Sequence, residues 1–196
     1  MTGNTHVRIG LATTGAIYVL AAGNLLDFPV ETEFLPVLSA TIGTIIGGLL
    51  PDIDNKGTTI SKFVPFVTRI ITKLAEQGVR GCYHRHLFHS LLFLPVISAL
   101  LSLHYWNDAN LKMLFMGLTF GIVMHCLADA LISNTWLLYP IIKKPITLLN
   151  LKQSENRKVY TKVEKFCSVL ANLVIFFVIL NFATFLLLDT TLLPKV

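Results

Sequence analysis

Side chains that could bind a metal ion occur at several separate points of this sequence. Asp52 and Asp54 follow a long apolar run and Pro51, which ends a helix because it lacks an N–H group and disfavours helical angles in the preceding residue. His125 and Asp129 lie four residues apart inside another apolar run, so a helix places both side chains on one face. Carboxylates bind hard divalent cations, and together with histidines they bind Zn²⁺. These two patterns predict a metal site.

Histidines elsewhere add further candidates. His6 precedes the first apolar segment, and His84, His86 and His89 surround Arg85 just before or at the start of the third segment. A helix would place His86 and His89 at neighbouring positions of one face. Each pattern has an ordinary alternative: a solvated histidine near a terminus, a histidine-rich membrane contact, or a His–Asp hydrogen bond that only joins two helices.

The composition is that of a membrane protein. Of 196 residues, 54% are hydrophobic and only 14% are charged, whereas soluble domains have about 25% charged residues. The length suits a single membrane-embedded domain, residues 1–196. The three cysteines form no Cys-x-x-Cys motif, which argues against a cysteine zinc site or a disulfide framework. The net charge of +5 fits basic loops beside a membrane, and no nucleic-acid recognition motif is present.

The predicted fold is an all-α polytopic transmembrane helix bundle with about five spans. Each apolar segment is close to the roughly 17–25 residues that cross the hydrocarbon core as a helix. The segments are 9–26, 34–50, 87–105, 111–133 and 166–188. Between the second and third, residues 63–74 alternate apolar and basic residues at helical spacing. This predicts an amphipathic helix, lying either in the membrane interface or on the surface of the bundle.

The distribution of Lys and Arg predicts the orientation. Fourteen of these 16 residues lie before the first span, between the second and third spans, or in the loop 140–165. By the positive-inside rule, these regions are cytoplasmic, the N-terminus is inside and the C-terminus is outside an inner cell membrane. The candidate metal ligands then share the cytoplasmic face. At the outer face, His104 and Asp108 beside Trp106 are typical of an interfacial belt.

In combination these motifs resemble the YdjM-like family, over roughly residues 6–145. They are Leu50-Pro51-Asp52-Ile53-Asp54 with Ser61, His84-Arg85-x-x-x-His89-Ser90, and His125-x-x-x-Asp129 with Pro140. The family is described as membrane-bound, predicted metal-dependent hydrolases, some under LexA control. The chain departs from the family pattern at His86 and Phe88, where the family usually has Gly and Thr, and the Thr and Gly expected after Asp129 are not clearly matched.

A looser similarity is to the all-α zinc phospholipase C and P1 nuclease enzymes, which also combine an early His, an Asp and a His-x-x-x-Asp pair. Their later His-x-x-x-Glu motif has no counterpart, because no histidine follows His125. One or two metal ions are therefore expected instead of three.

The resemblance implies a phosphoesterase-like, metal-dependent hydrolase that acts on a membrane lipid or a lipid-linked anionic substrate at the cytoplasmic face. Arg85 would hold a phosphate oxygen, Asp54 would serve as general base, and His84 would be a ligand or the acid for the leaving group. The expected ligands of Zn²⁺ or Mn²⁺ are His6, Asp52, Asp54, His89, His125 and Asp129.

Two alternatives stay open. The first is a non-enzymatic membrane protein in which a metal only stabilises the bundle, and it predicts a closed site with saturated coordination. The second is a small transporter that uses His125 and Asp129. It requires polar residues that continue to the outer face, and the first three spans offer few.

Overall fold

The computed structural model describes residues 1–22, 34–149 and 157–192, and over these ranges the chain is helical without a strand. This confirms the all-α prediction. The helices are α1 (Gly3–Ala22), α2 (Phe34–Leu49), α3 (Thr59–Phe63), α4 (Pro65–Glu76), α5 (Leu94–His104), α6 (Ala109–Ile132) and α7 (Arg157–Leu192), and short 3₁₀ segments cover Leu50–Asp54, Arg80–Cys82 and Leu87–His89.

Among the described residues, three stretches are long and apolar enough to cross a membrane: Leu35–Asp54, Ala109–Ile132 and Lys158–Asn181. The count of five spans is thus not confirmed. A helix over the whole of 87–105 is wrong, because α5 begins only at Leu94, with Pro95 in its first turn. Its 11 residues reach about 16 Å at 1.5 Å per residue, half of the hydrocarbon thickness.

The glycines of α2 and α6 bring these two helices into backbone contact. Gly43 and Gly47 on α2 face α6, and Gly117 and Gly121 on α6 face α2. A Cβ atom at any of the four would overlap a carbonyl oxygen of the partner helix. Two small-x-x-x-small motifs therefore set the register of this pair, as is common between membrane helices.

Polar contacts attach the other long helices to this pair. Thr14 on α1 bonds to Thr44 on α2 (3.1 Å), and Ser98 on α5 bonds to Thr119 on α6 (2.8 Å). On α7, the carboxylate of Glu164 accepts hydrogen bonds from the first residues of the chain. The starts of α1 and α7 and the ends of α2 and α6 consequently meet at one end of the bundle, which we call the proximal end. The α5–α6 connection lies at the distal end.

The segment 84–93, which contains the 3₁₀ turn Leu87–His89 but no α-helix, is covered by the segment 133–149. The backbone carbonyl of Arg85 accepts from the Trp136 amide (3.1 Å), and the carbonyl of Leu137 accepts from the Leu91 amide (2.8 Å). The hydroxyl of Ser90 donates to the carbonyl of Tyr139 (2.5 Å). Irregular backbone near a membrane requires such protein partners, because lipid supplies none.

Candidate metal centre

Every residue that the sequence predicts as a metal ligand lies in one cluster at the proximal end. Its members form three groups. Within each group, one ligand atom of every residue lies within 4.8 Å of the others. The groups are His6–His125–Asp129, Asp52–His89–His125 and Asp54–His84–His89. His89 and His125 each belong to two groups, so the three are parts of a continuous site.

The packing of α2 on α6 orients His125. Its Nδ1 lies 2.8 Å from the carbonyl oxygen of Gly48, and because a carbonyl only accepts, Nδ1 carries the proton. The Nε2 lone pair then points into the cluster, 3.3 Å from Nε2 of His89 and 3.7 Å from Oδ1 of Asp52. Metal-binding histidines usually have their second nitrogen fixed in this way.

Asp129 is a buried carboxylate with several cationic or potentially cationic partners. Its Oδ1 lies 3.2 Å from Nε2 of His6 and 3.0 Å from the amino group of Met1, and its Oδ2 lies 3.2 Å from Nε of Arg85. The His6 ring also stacks on His125, with ring centroids 3.7 Å apart. A buried carboxylate is tolerated only with such partners.

The third group is the most exposed part of the cluster. Nδ1 of His84 bonds to Oδ1 of Asp54 at 2.7 Å, and the His84 side chain is 36% exposed. The other oxygen of Asp54 lies 3.6 Å from Nδ1 of His89. Burial by itself lowers the pKa of His89, but the neighbouring carboxylates of Asp52 and Asp54 outweigh it and raise this pKa to about 9. A metal ion would therefore have to displace a proton from His89.

The separations between His89 and its carboxylate neighbours are longer than hydrogen bonds and close to the distance between two ligands of one ion. Two ligands of one tetrahedral Zn²⁺ lie about 3.3–3.6 Å apart, given metal–ligand distances of roughly 2.0–2.2 Å, whereas hydrogen bonds measure about 2.7–3.2 Å. Nε2 of His89 lies 3.7 Å from Asp52 and 3.8 Å from Asp129. Within the part of the chain that the structure describes, buried atoms without a hydrogen-bond partner include Nδ1 of His6, Oδ2 of Asp54 and Nδ1 of His89. Imidazoles combined with carboxylates suit Zn²⁺ or Mn²⁺.

His86 lies outside the cluster. Its ring stacks on Trp136, with centroids 4.4 Å apart, and burial lowers its pKa. The prediction that His86 and His89 occupy one helix face is wrong, because the helical turn covers only Leu87–His89 and His86 precedes it with non-helical angles (φ −96°, ψ −106°).

The distal histidine and aspartate have local structural contacts. Asp108 caps α6 by accepting a hydrogen bond from the Leu111 amide (3.0 Å), and His104 packs edge-on against Tyr105 at 4.8 Å. The sequence prediction did not include the carbonyl of Gly48. The spacing of Gly43, Gly47, Gly117 and Gly121 is the signal that could have identified the α2–α6 contact that positions it.

The fold and the cluster define a small helical membrane protein with a buried histidine–aspartate centre. The chain belongs to the YdjM inner membrane protein family, whose model matches residues 1–189. Membrane localisation is thereby supported both by the family and by the apolar helices. No curated protein and no solved structure matches the chain, so the looser similarity to phospholipase C and P1 nuclease has no support from these comparisons.

Proposed function

We propose that this protein is a metal-dependent hydrolase that cleaves a phosphoester of a lipid or lipid-linked substrate at the cytoplasmic membrane face. The observation that carries the proposal is the convergence of six histidines and aspartates from distant parts of the chain, at separations suited to a shared ion. The cytoplasmic assignment rests on the Lys and Arg bias, since the proximal end carries the two basic loops.

The ion would be Zn²⁺ or Mn²⁺, held by the two ligand groups that share His125. When bound, such an ion lowers the pKa of a coordinated water toward about 7 and polarises a phosphoryl oxygen. The proposed ligands are His6, Asp52, His89, His125 and Asp129. Asp54 and His84, with His89, form the remaining ligand group, which is the place for a second ion.

Without a second ion, Asp54 and His84 are suited to proton transfer. The carboxylate of Asp54 accepts the Nδ1 proton of His84 at 2.7 Å, which leaves Nε2 of His84 to exchange a proton with a substrate. Both residues line a cavity of about 330 Å³, together with Tyr83 and Lys56. Of the proposed base Asp54 and the proposed acid His84, only His84 has an exposed side chain, so its Nε2 is the atom that would reach a substrate.

Arg85 is suited to bind a phosphate oxygen. Its Nε pairs with Asp129, and the side chain is 29% exposed, so other N–H donors of the guanidinium group remain for a ligand. A left-handed backbone at a non-glycine residue is strained, and such strain clusters at functional sites.

Partial exposure favours a hydrolase over a purely structural metal site. His89 and His125 are fully buried, but His84 and Arg85 reach the surface, and catalytic metal sites keep an accessible position. A transport path along α6 is disfavoured, because Ile122, one turn from His125 toward the distal end, is fully buried in an apolar core.

Metal analysis of the purified protein tests the proposal. We expect stoichiometric Zn²⁺ or Mn²⁺ in the wild-type protein and loss of it in Asp52→Asn and Asp129→Asn. The distal Asp108→Asn is the matched control and should keep its metal. Full metal content in both proximal variants would refute the ligand assignment. Hydrolysis of phospholipid vesicles should be abolished by a chelator, and chelator-insensitive hydrolysis would contradict the mechanism.

A further inference from the structure

Two segments at the proximal end expose large apolar side chains. In α3–α4, Phe66 is 72% exposed, and Phe63 and Ile70 are also exposed. In the segment 140–149, Leu148 is 74% exposed, and Ile141 is similarly accessible. Several exposed side chains of this size within one short segment indicate a contact with another apolar phase or partner.

Exposed basic residues lie among these apolar side chains. They are Lys62, Arg69 and Lys73 in α3–α4, and Lys143 and Lys144 in the other segment. The acidic residue of α4, Glu76, pairs with Lys56 at 3.0 Å. Aromatic and aliphatic residues interleaved with Lys and Arg are typical of helices that lie in an anionic headgroup layer.

Both segments lie where candidate spans end. The amides of Leu148 and Leu149 donate to the carbonyls of Ala130 and Leu131 at 2.9 Å, which belong to the last turns of the candidate span Ala109–Ile132. The exposed Leu148 side chain is therefore at the depth of that span. Helix α3 begins five residues after the end of the span Leu35–Asp54.

The same two segments border the accessible side of the metal centre. Thr72, Ala75 and Glu76 of α4 line the cavity that contains Asp54 and His84. The segment 133–149 bonds directly to the backbone of Arg85, which follows His84.

We propose that α3–α4 and the segment 140–149 form one membrane rim, immersed in the anionic headgroup layer, and that the cavity beside His84 opens to the lipid phase. The position of the rim follows from its exposed residues alone. The inference that a bilayer lipid reaches the centre through this opening rests on the proposed function.

Depth-dependent fluorescence quenching tests the rim. In nanodiscs with anionic lipid and a Trp106→Phe/Trp136→Phe background, single tryptophans replace Phe66 or Ile141 on the rim, or Gln77 on the exposed polar end of α4 as the matched control. Lipids brominated in the upper acyl chain should quench both rim positions roughly twofold more than position 77. Equal quenching, or stronger quenching of the rim by aqueous acrylamide, would overturn the proposal. If Phe66→Trp does not give a monodisperse protein, Phe63→Trp tests the same surface.

In the same background, Tyr83→Trp in the wall of the cavity tests whether the cavity opens to the bilayer. Quenching by brominated lipid supports access from the bilayer, and quenching by acrylamide alone refutes it. Neither measurement requires bound metal. If metal analysis finds no bound ion, the proposed function is refuted but the membrane rim is not. If lipid quenching does not favour the rim positions, the membrane rim is refuted but the proposed function is not.

Discussion

The two ends of the helix bundle contain the same kinds of residues but use them differently. At the distal end, Asp108 caps its own helix and His104 packs on its neighbour Tyr105. At the proximal end, His125 and Asp129 of a single helix meet His6 from another, and all three are buried. The difference lies in sequence separation: the distal contacts are local, whereas His6 and Asp129 meet from positions more than a hundred residues apart. Residue type alone is thus a poor guide to a metal centre. A better guide is that histidines and aspartates from distant parts of the chain meet in a buried position.

The largest expected effect comes from separating the helices that create this convergence. In Gly47→Leu, the new side chain would overlap the backbone of α6, so we expect loss of the folded monomer together with its metal. Gly81→Ala is the control, since the nearest atom to its Cβ would be at an ordinary 3.7 Å. Size-exclusion chromatography and metal analysis measure both variants. A monodisperse Gly47→Leu protein with full metal content would contradict the proposed role of the glycine contact.

The next largest effect is expected when Asp129 at the proximal end and Asp108 at the distal end are each replaced by alanine. Asp129→Ala leaves Arg85 and His6 without their buried partner, and breaking a buried pair costs about 3–5 kcal/mol. Asp108→Ala removes only a helix cap, at about 0.5–2 kcal/mol. Denaturant titration in detergent micelles should separate the two variants clearly. Equal losses of unfolding free energy in the two variants would show that the buried contacts of Asp129 stabilise the fold no more than the exposed helix cap of Asp108 does.

Removal of the metal should lower the free energy of unfolding of the wild-type protein by somewhat less than Asp129→Ala does. An ion at a hundredfold excess over its Kd stabilises the native state by about 2.7 kcal/mol, so a chelator should lower the thermal midpoint. In Asp129→Ala, the chelator should have no effect, because a ligand is missing. A chelator-induced shift of equal size in both proteins would place the stabilising ion elsewhere.

The smallest effect concerns the strained backbone at Arg85. Its positive φ is readily adopted by glycine and strains other residues by about 1 kcal/mol or more. Arg85→Gly should therefore be more stable than Arg85→Ala by about 1 kcal/mol, although both lose the ion pair with Asp129. Thermal unfolding of the two variants compares them. If Arg85→Ala is as stable as Arg85→Gly, the backbone at this position is not strained.

Several parts of the fold could be predicted because they depend on local chemistry. Apolar run length predicts membrane helices, Pro51 accompanies the end of α2, and the four-residue spacing of His125 and Asp129 puts both in one helix and one cluster. The segment 84–93 could not be predicted. Its apolar residues are compatible with a helix. The backbone instead forms hydrogen bonds with a segment about fifty residues later in the chain, which local sequence does not reveal.

By itself, the sequence determined the membrane class, the helical periodicity and the residues able to bind a metal ion. These follow from composition and from spacing within single segments. Only the tertiary structure decided which candidates meet: Gly48 lets the backbone of α1 approach at Val7, one residue after His6, and the carbonyl of Gly48 orients His125. Such contacts depend on the register between helices, which close packing fixes and no single segment encodes.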